Sequence, residues 1–224
     1  MNTIKGLITK DLLQLKSYRK TLIIYIFIFV FTGIVQETSK GVGVMIASMI
    51  TLGFGMFSMA SFNYDEQSKT DRYILTFPLT KKEVLIAKYI LVIGSSITGA
   101  ILGIILSLII VFVIEGNFPN IFEYIGVAIG SILGVGLIQA IQIPCVYKWG
   151  AEKGRIQMFI VAAIIILLIG GVFVIGERIN INLQIDSFLN IVINILPLIL
   201  LFITFIIYYI SYRISYKIYI NKEE

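Results

Sequence analysis

Six stretches of this 224-residue chain contain no charged side chain: 21–36, 41–64, 89–114, 124–147, 156–176 and 187–212. A helix rises ~1.5 Å per residue, so about 20 apolar residues cross the ~30 Å hydrocarbon core of a bilayer. All but the first stretch reach that length. The first follows Arg19 and Lys20, whose aliphatic stems can reach to the headgroups and extend it. The runs are continuously apolar and lack the period-two alternation of barrel strands, which predicts helices. The expectation is an all-α membrane protein of six transmembrane helices at about 21–36, 42–62, 89–114, 124–147, 156–176 and 188–212, forming a single domain over 1–224.

Composition excludes the main soluble classes. Charged residues make up 14% of the chain and apolar ones 58%, against roughly 25% charged in ordinary globular domains. Histidine is absent, which removes the usual general base, the commonest metal ligand and any Ser-His or Cys-His pair. The single Cys145 can form neither an internal disulfide nor a cysteine metal cluster. A charged stretch precedes the first apolar run, contrary to the pattern of a cleaved signal peptide.

The net charge of +5 is better read by its placement than by its sum. All 18 Lys and Arg residues except Lys40 and Arg178 fall in the N-terminal segment, 63–88, 148–155 or the C-terminal tail. The positive-inside rule puts those regions, and both termini, in the cytoplasm, and so the protein in the cell membrane. The opposite loops carry Glu37, Glu115, Glu123, Glu177 and Asp186.

Two cytoplasmic regions have structure of their own. In 1–20, Ile4, Leu7, Ile8, Leu12 and Leu15 recur at helical spacing, with Lys5, Lys10, Asp11 and Lys16 mostly in other directions. That is the pattern of an amphipathic interfacial helix, serving as anchor and topology signal or also touching a cytoplasmic partner. The longest loop, 63–88, reads as two short helices broken at Pro78. Its second half restarts with a capping box, Thr80 to Glu83. Such a loop is either a docking surface or a solvated connection lying on the membrane.

Its residues resemble a known pattern. Asp65-Glu66, then Asp71-Arg72-Tyr73-Ile74-Leu75, Phe77-Pro78-Leu79-Thr80-Lys81-Lys82-Glu83 and Lys88-Tyr89 are similar to the loop between spans 2 and 3 of ABC-2-type exporter permeases. The topology is similar too, and small stand-alone permeases of bacterial peptide export and immunity systems, phenol-soluble modulin exporters among them, share it. The resemblance implies a type V exporter-like transmembrane domain whose segment 66–77 forms a coupling helix in a cleft of a separate ATPase. Glu66, Lys69, Asp71, Arg72, Tyr73, Leu75, Phe77 and Pro78 are then the ATPase-coupling residues, with 148–155 a smaller contact. It further implies two copies of that ATPase, a second permease subunit, the same or similar, and ATP and Mg held by the ATPase. The chain itself binds no cofactor or metal in this reading and is not an enzyme. Its 150–155 sequence, GAEKGR, lacks the Walker spacing and the Lys-Ser/Thr ending.

On span 2, at ~100° per residue, Met45, Met49, Leu52, Met56, Met59 and Asn63 fall on a stripe about 80° wide. Methionines repack around varied apolar guests, so this face is either a substrate cavity or ordinary helix packing. Gly99 and Gly103, and Gly126, Gly130 and Gly134, suit close helix approach, within the subunit in preference to a dimer interface. Gln139 and Gln142 need partners across helices. Pro197 is expected to kink or interrupt span 6, and Trp149 with Tyr208, Tyr209, Tyr212, Tyr216 and Tyr219 to form an interfacial aromatic belt.

The functional expectation is a permease subunit of an ATP-driven exporter moving an amphipathic or hydrophobic substrate, in the first instance a peptide. A bacteriocin or antimicrobial-peptide immunity permease is the alternative. An ion-coupled carrier is a weaker one, since no span contains a charge. No nucleic acid is expected.

Overall fold

The computed structural model describes residues 2–35, 39–70, 79–116, 120–154 and 186–221, with only 156, 160, 163 and 167 between 155 and 185. Among these residues the regular structure is helical and no strand occurs. In chain order the helices are α1 (Asn2–Leu15), α2 (Arg19–Val35), α3 (Ser39–Ser58), α4 (Ala60–Gln67), α5 (Lys81–Glu115), α6 (Ile121–Trp149) and α7 (Asp186–Asn221), with a tight turn at Lys16–Tyr18 between α1 and α2. Three described segments are long and apolar enough to cross a membrane: Gly41–Gln67, Lys81–Glu115 and Ile121–Trp149. α2, at 17 residues, is about 25 Å long and short of the ~30 Å core. Expected span 5 lies almost wholly outside the described residues.

α5 is the spine. It packs along α3, and at one end it also holds α1, while α6 and α7 lie against each other and against α5. Its start is fixed by the expected capping box: Thr80 Oγ1 accepts from the Glu83 N–H at 3.2 Å and Glu83 Oε2 accepts from the Thr80 N–H at 2.9 Å. These bonds to the ionised form hold the Glu83 carboxyl below its ordinary range. The close packing of α3 on α5 depends on Gly103 and Gly99. A Cβ at Gly103 would lie 2.7 Å from the Ala47 carbonyl oxygen, and one at Gly99 2.5 Å from Phe54 Cβ. Gly126, Gly130 and Gly134 differ: nothing described lies within 4 Å of a Cβ built at any of them. The expectation that this stripe packs inside the subunit is not met among the described residues.

One apolar core occupies the end of the bundle that carries α1. It is built from Leu7, Phe62, Leu85, Val92, Ile143 and Tyr147, among others, with Ile4 and Ile8 against it. A smaller cluster of Val42, Ile46, Ile50 and Ile110 closes the opposite end of α3 and α5. Elsewhere the helices turn apolar side chains outward, as on α2 (Ile23, Phe27, Phe31) and α5 (Ile97, Ile101, Ile105). In water such surfaces would be costly; against lipid they need no cover.

Four expectations change. α1 does not bury its whole apolar stripe: Leu12 is exposed, and Asp11, assigned to another direction, is 1% exposed on the inner face. No helix begins at Glu66. That residue is in the last turn of α4, and the chain leaves the helix at Ser68 and Lys69, the latter at a left-handed φ of 51°. α7 continues through Pro197, so of the two expected effects the interruption does not occur. The C-terminal tyrosines, Tyr209 apart, are packed against protein. Tyr89 makes edge contacts with Tyr208 and Tyr212, Tyr147 packs 5.1 Å from Tyr219, and Tyr219 is buried. Tyr209 alone of the described tyrosines on α7 is exposed, so the ladder is a seam between α7 and the core.

Candidate functional site

Where α1, α4 and α5 converge, a lysine is buried. Lys88 sits on the inward stripe of α5 with Val84, Leu85 and Val92, so its ammonium cannot reach water without leaving the core. An uncompensated charge there would cost several kcal/mol. Lys88 Nζ donates to Asp11 Oδ1 at 3.0 Å and to Ser61 Oγ at 3.0 Å, and pairs with Asp65 Oδ2 at 2.5 Å. Three acceptors meet its three N–H groups, and the Phe62 ring centroid lies 4.9 Å away. Lys10 completes the cluster, 2.8 Å from Asp65 and 3.0 Å from Asp11, and Gln14 Nε2 donates to Asp65 Oδ1 at 3.1 Å. Desolvation lowers the Lys10 pKa, but the hydrogen bond Lys10 donates to Asp65 and the two carboxylate charges outweigh it and leave it above the ordinary value. The cluster joins α1 to the end of α4, directly before 71–78.

Glu66 ties this corner to the turn after α6. Its carboxylate accepts from the Ala151 N–H, at the start of the helical turn 151–154. That approach needs Gly150, which ends α6 at a φ of 89°, where a side chain is strained, and whose Cβ would lie 2.5 Å from Glu66 Oε1. The expected coupling residue and the expected smaller contact thus meet. Lys69 is exposed at the turn after α4. Asp71, Arg72, Tyr73, Leu75, Phe77 and Pro78 lie outside the described residues.

Beside the corner is a cavity of about 550 Å³ between α2, α3 and α6. Met49, Leu52, Met56 and Met59 line it with Tyr25 and Gln142. Met45 is half-buried on α3 and does not line it. At one end Tyr25 OH donates to the Met49 carbonyl at 2.7 Å, an arrangement that depends on Gly53, because a Cβ there would run into the Tyr25 ring. At the other end Tyr18 makes edge contacts with Phe57 and Tyr64, centroids 5.5 and 5.4 Å apart.

α3 breaks at Met59, on the cavity wall, and the cause is visible. In a continuous helix the Met59 N–H would bond the Gly55 carbonyl; it bonds Met56 O at 3.1 Å instead. The Gly55 carbonyl accepts from Ser58 Oγ at 2.6 Å and from Gln139 Nε2 at 2.9 Å. Side chains that take a helix carbonyl in this way bend the helix. Gln139 Oε1 accepts from Tyr208 OH at 3.0 Å and Ser96 Oγ at 3.3 Å. One fully buried amide therefore joins α3, α5, α6 and α7.

A chain with three helical segments apolar and long enough to cross a bilayer, and with apolar side chains turned outward, is suited to a membrane. The family comparison says which kind of membrane protein it is: residues 6–220 match the family described as ABC-2 family transporter protein. The chain belongs to the ABC-2 transporter family. No curated protein and no solved structure matches it. As an ABC-2 permease it is the membrane component of an ABC transporter, associated with an ABC ATPase. The corner residues of this permease were only partly foreseen. Position 11 follows 4, 7 and 8 at helical spacing, and 88 falls among 84, 85 and 92, so both charges lie on apolar stripes. A charge on such a stripe marks a buried partner. The α2 side of the cavity, Tyr18, Leu22 and Tyr25, carried no comparable mark.

Proposed function

We propose that this ABC-2 permease is the six-span subunit of an exporter in the cytoplasmic membrane, with both termini inside, and that it moves an amphipathic or hydrophobic substrate, in the first instance a peptide, outward. In this reading two copies of the separate ATPase bind ATP and Mg, and two permease subunits, identical or similar, form the pathway. Asp71, Arg72, Tyr73, Leu75, Phe77 and Pro78, with Glu66 and Lys69, dock the ATPase, and Met49, Leu52, Met56 and Met59, which line the cavity, meet the substrate.

The observation that carries this reading is the convergence on one corner of α1, α4, α5 and the 150–154 turn through Lys88, Asp11, Asp65 and Glu66. A segment anchored there hands displacement to packed helices and not to loose loops. ATP-driven closure of the ATPase pair would push 71–78, move α4 with it, and act on the break at Met59 beside the cavity. Replacing Asp71, Arg72 and Tyr73 together with Ala should abolish co-purification of the ATPase while membrane insertion stays normal. Unchanged co-purification would refute the docking assignment.

A further inference from the structure

The apolar stripe of α1 is spent on protein. Leu7 is buried in the core with Ile4 and Ile8 packed beside it, and Asp11 on the same side is withdrawn from solvent. The opposite side faces outward: Lys5, Thr9, Leu12 and Lys16 recur at helical spacing, Leu13 lies beside them, and all five are exposed. A shallow depression lined by Lys5, Gly6, Thr9, Lys10 and Leu13 opens on this side, and a Cβ built at Gly6 meets nothing within 4 Å.

The charge of this side is unbalanced. Asp11 is the one acid in residues 1–20, and it is taken up in the cluster where Lys10 and Lys88 meet Asp11 and Asp65. Two lysines against two aspartates leave that cluster neutral in itself. Lys5, Lys16, Arg19 and Lys20 are all exposed, and no ion pair among the described residues uses them. Arg19 and Lys20 directly precede the uncharged run 21–36, and Lys16 begins the turn that joins α1 to α2. α2 then turns Ile23, Ile24 and Phe27 outward. For a helix that enters a bilayer, its start is the level at which hydrocarbon gives way to headgroups. Leu12 and Leu13, 55% and 63% exposed, are disfavoured in water and accepted at the boundary of headgroups and acyl chains. Exposed leucines among unpaired cations complement a phospholipid surface of negative charge.

We infer that the outer side of α1 binds anionic phospholipid, with Lys5 and Lys16 on the headgroup phosphates and Leu12 and Leu13 at the acyl boundary. The inner side of the same helix carries Lys10 and Asp11, so the lipid bears directly on the element that holds Asp65 and Lys88. This contact needs neither the orientation nor the ATPase and substrate of the proposed function.

Selectivity for lipid charge tests it. Bimane on Thr9→Cys, in a Cys145→Ser background, puts a fluorophore in the middle of the outer side. The full chain is held in phosphatidylcholine nanodiscs without ATPase and titrated with a quenching lipid that carries a nitroxide high on one acyl chain, with either a phosphatidylglycerol or a phosphatidylcholine headgroup. Half-maximal quenching should need at least about fivefold less of the phosphatidylglycerol, the attraction of one basic residue to an anionic surface. Lys5→Gln with Lys16→Gln should remove most of that preference. Arg213→Gln with Lys217→Gln lowers the net charge equally on α7 and should leave it intact. Equal quenching by the two lipids in the labelled parent chain overturns the inference, whether or not the further variants fold. A preference lost to the same extent in both double variants reflects net charge alone and overturns it as well. No quenching by either lipid, with the bimane open to aqueous iodide, would place this side away from lipid and overturn it too. Because no ATPase is present, failure here is distinct from failure of the docking assignment.

Discussion

Gln139 Nε2 donates to the Gly55 carbonyl at 2.9 Å across α6 and α3, and α3 stops being a regular helix four residues later. The approach is possible because Gly55 has no side chain: a Cβ there would collide with Val135 and lie 3.0 Å from Gln139 Nε2. Gln139→Leu leaves the hydroxyls of Ser96 and Tyr208 without this acceptor. The expected loss is about 1–3 kcal/mol, read as a melting temperature lower by several degrees in detergent. A melt unchanged from wild type would remove Gln139 as the tie among these helices.

The Lys88 cluster predicts an asymmetry between two lysines. Lys88→Met leaves Asp11 and Asp65 buried with Lys10 as the remaining cation, at an expected cost of about 3–5 kcal/mol. Lys10 is partly exposed, and water can screen the carboxylates after Lys10→Met, so its cost should be markedly smaller. Combining Lys88→Met with Asp11→Leu should recover part of the loss. Fluorescence-detected thermal melts of the variants measure all three.

Glycine positions separate close packing from open surface. Gly103→Ala puts a methyl group against the Ala47 backbone and should destabilise by about 1–3 kcal/mol, as overpacking does. At Gly130 and Gly134 nothing described stands in the way, so alanine should be neutral or stabilise by up to about 1 kcal/mol through helix propensity. Loss of folded protein for Gly130→Ala would show that another surface covers the stripe.

Gly150→Ala tests the bond between the end of α4 and the turn after α6. The substitution strains a φ of 89° and drives a methyl group into the Glu66 carboxylate. Proteolytic cleavage within 148–155 should become faster. Glu66→Gln keeps the geometry but weakens a charge-assisted bond to the Ala151 N–H and should show a smaller increase in the same assay.

The placement of charge alone determined that this chain lives in a membrane, because a run of about 20 uncharged residues has no better environment than lipid. The capping box at Thr80 and Glu83 was equally legible, since both partners lie within one turn and local geometry fixes them. The loop residues from Asp65 to Tyr89 carried the family resemblance, and the family match agrees with it. Side-chain partners were not legible in this way. Nothing along the chain says that Lys88 meets Asp11, 77 positions earlier, or that Gln139 is satisfied while Gln142, one turn on, is not. Those outcomes depend on which helices approach closely enough to bring donor to acceptor. Glycines such as Gly55 and Gly103 permit that approach, but only the packed bundle decides it.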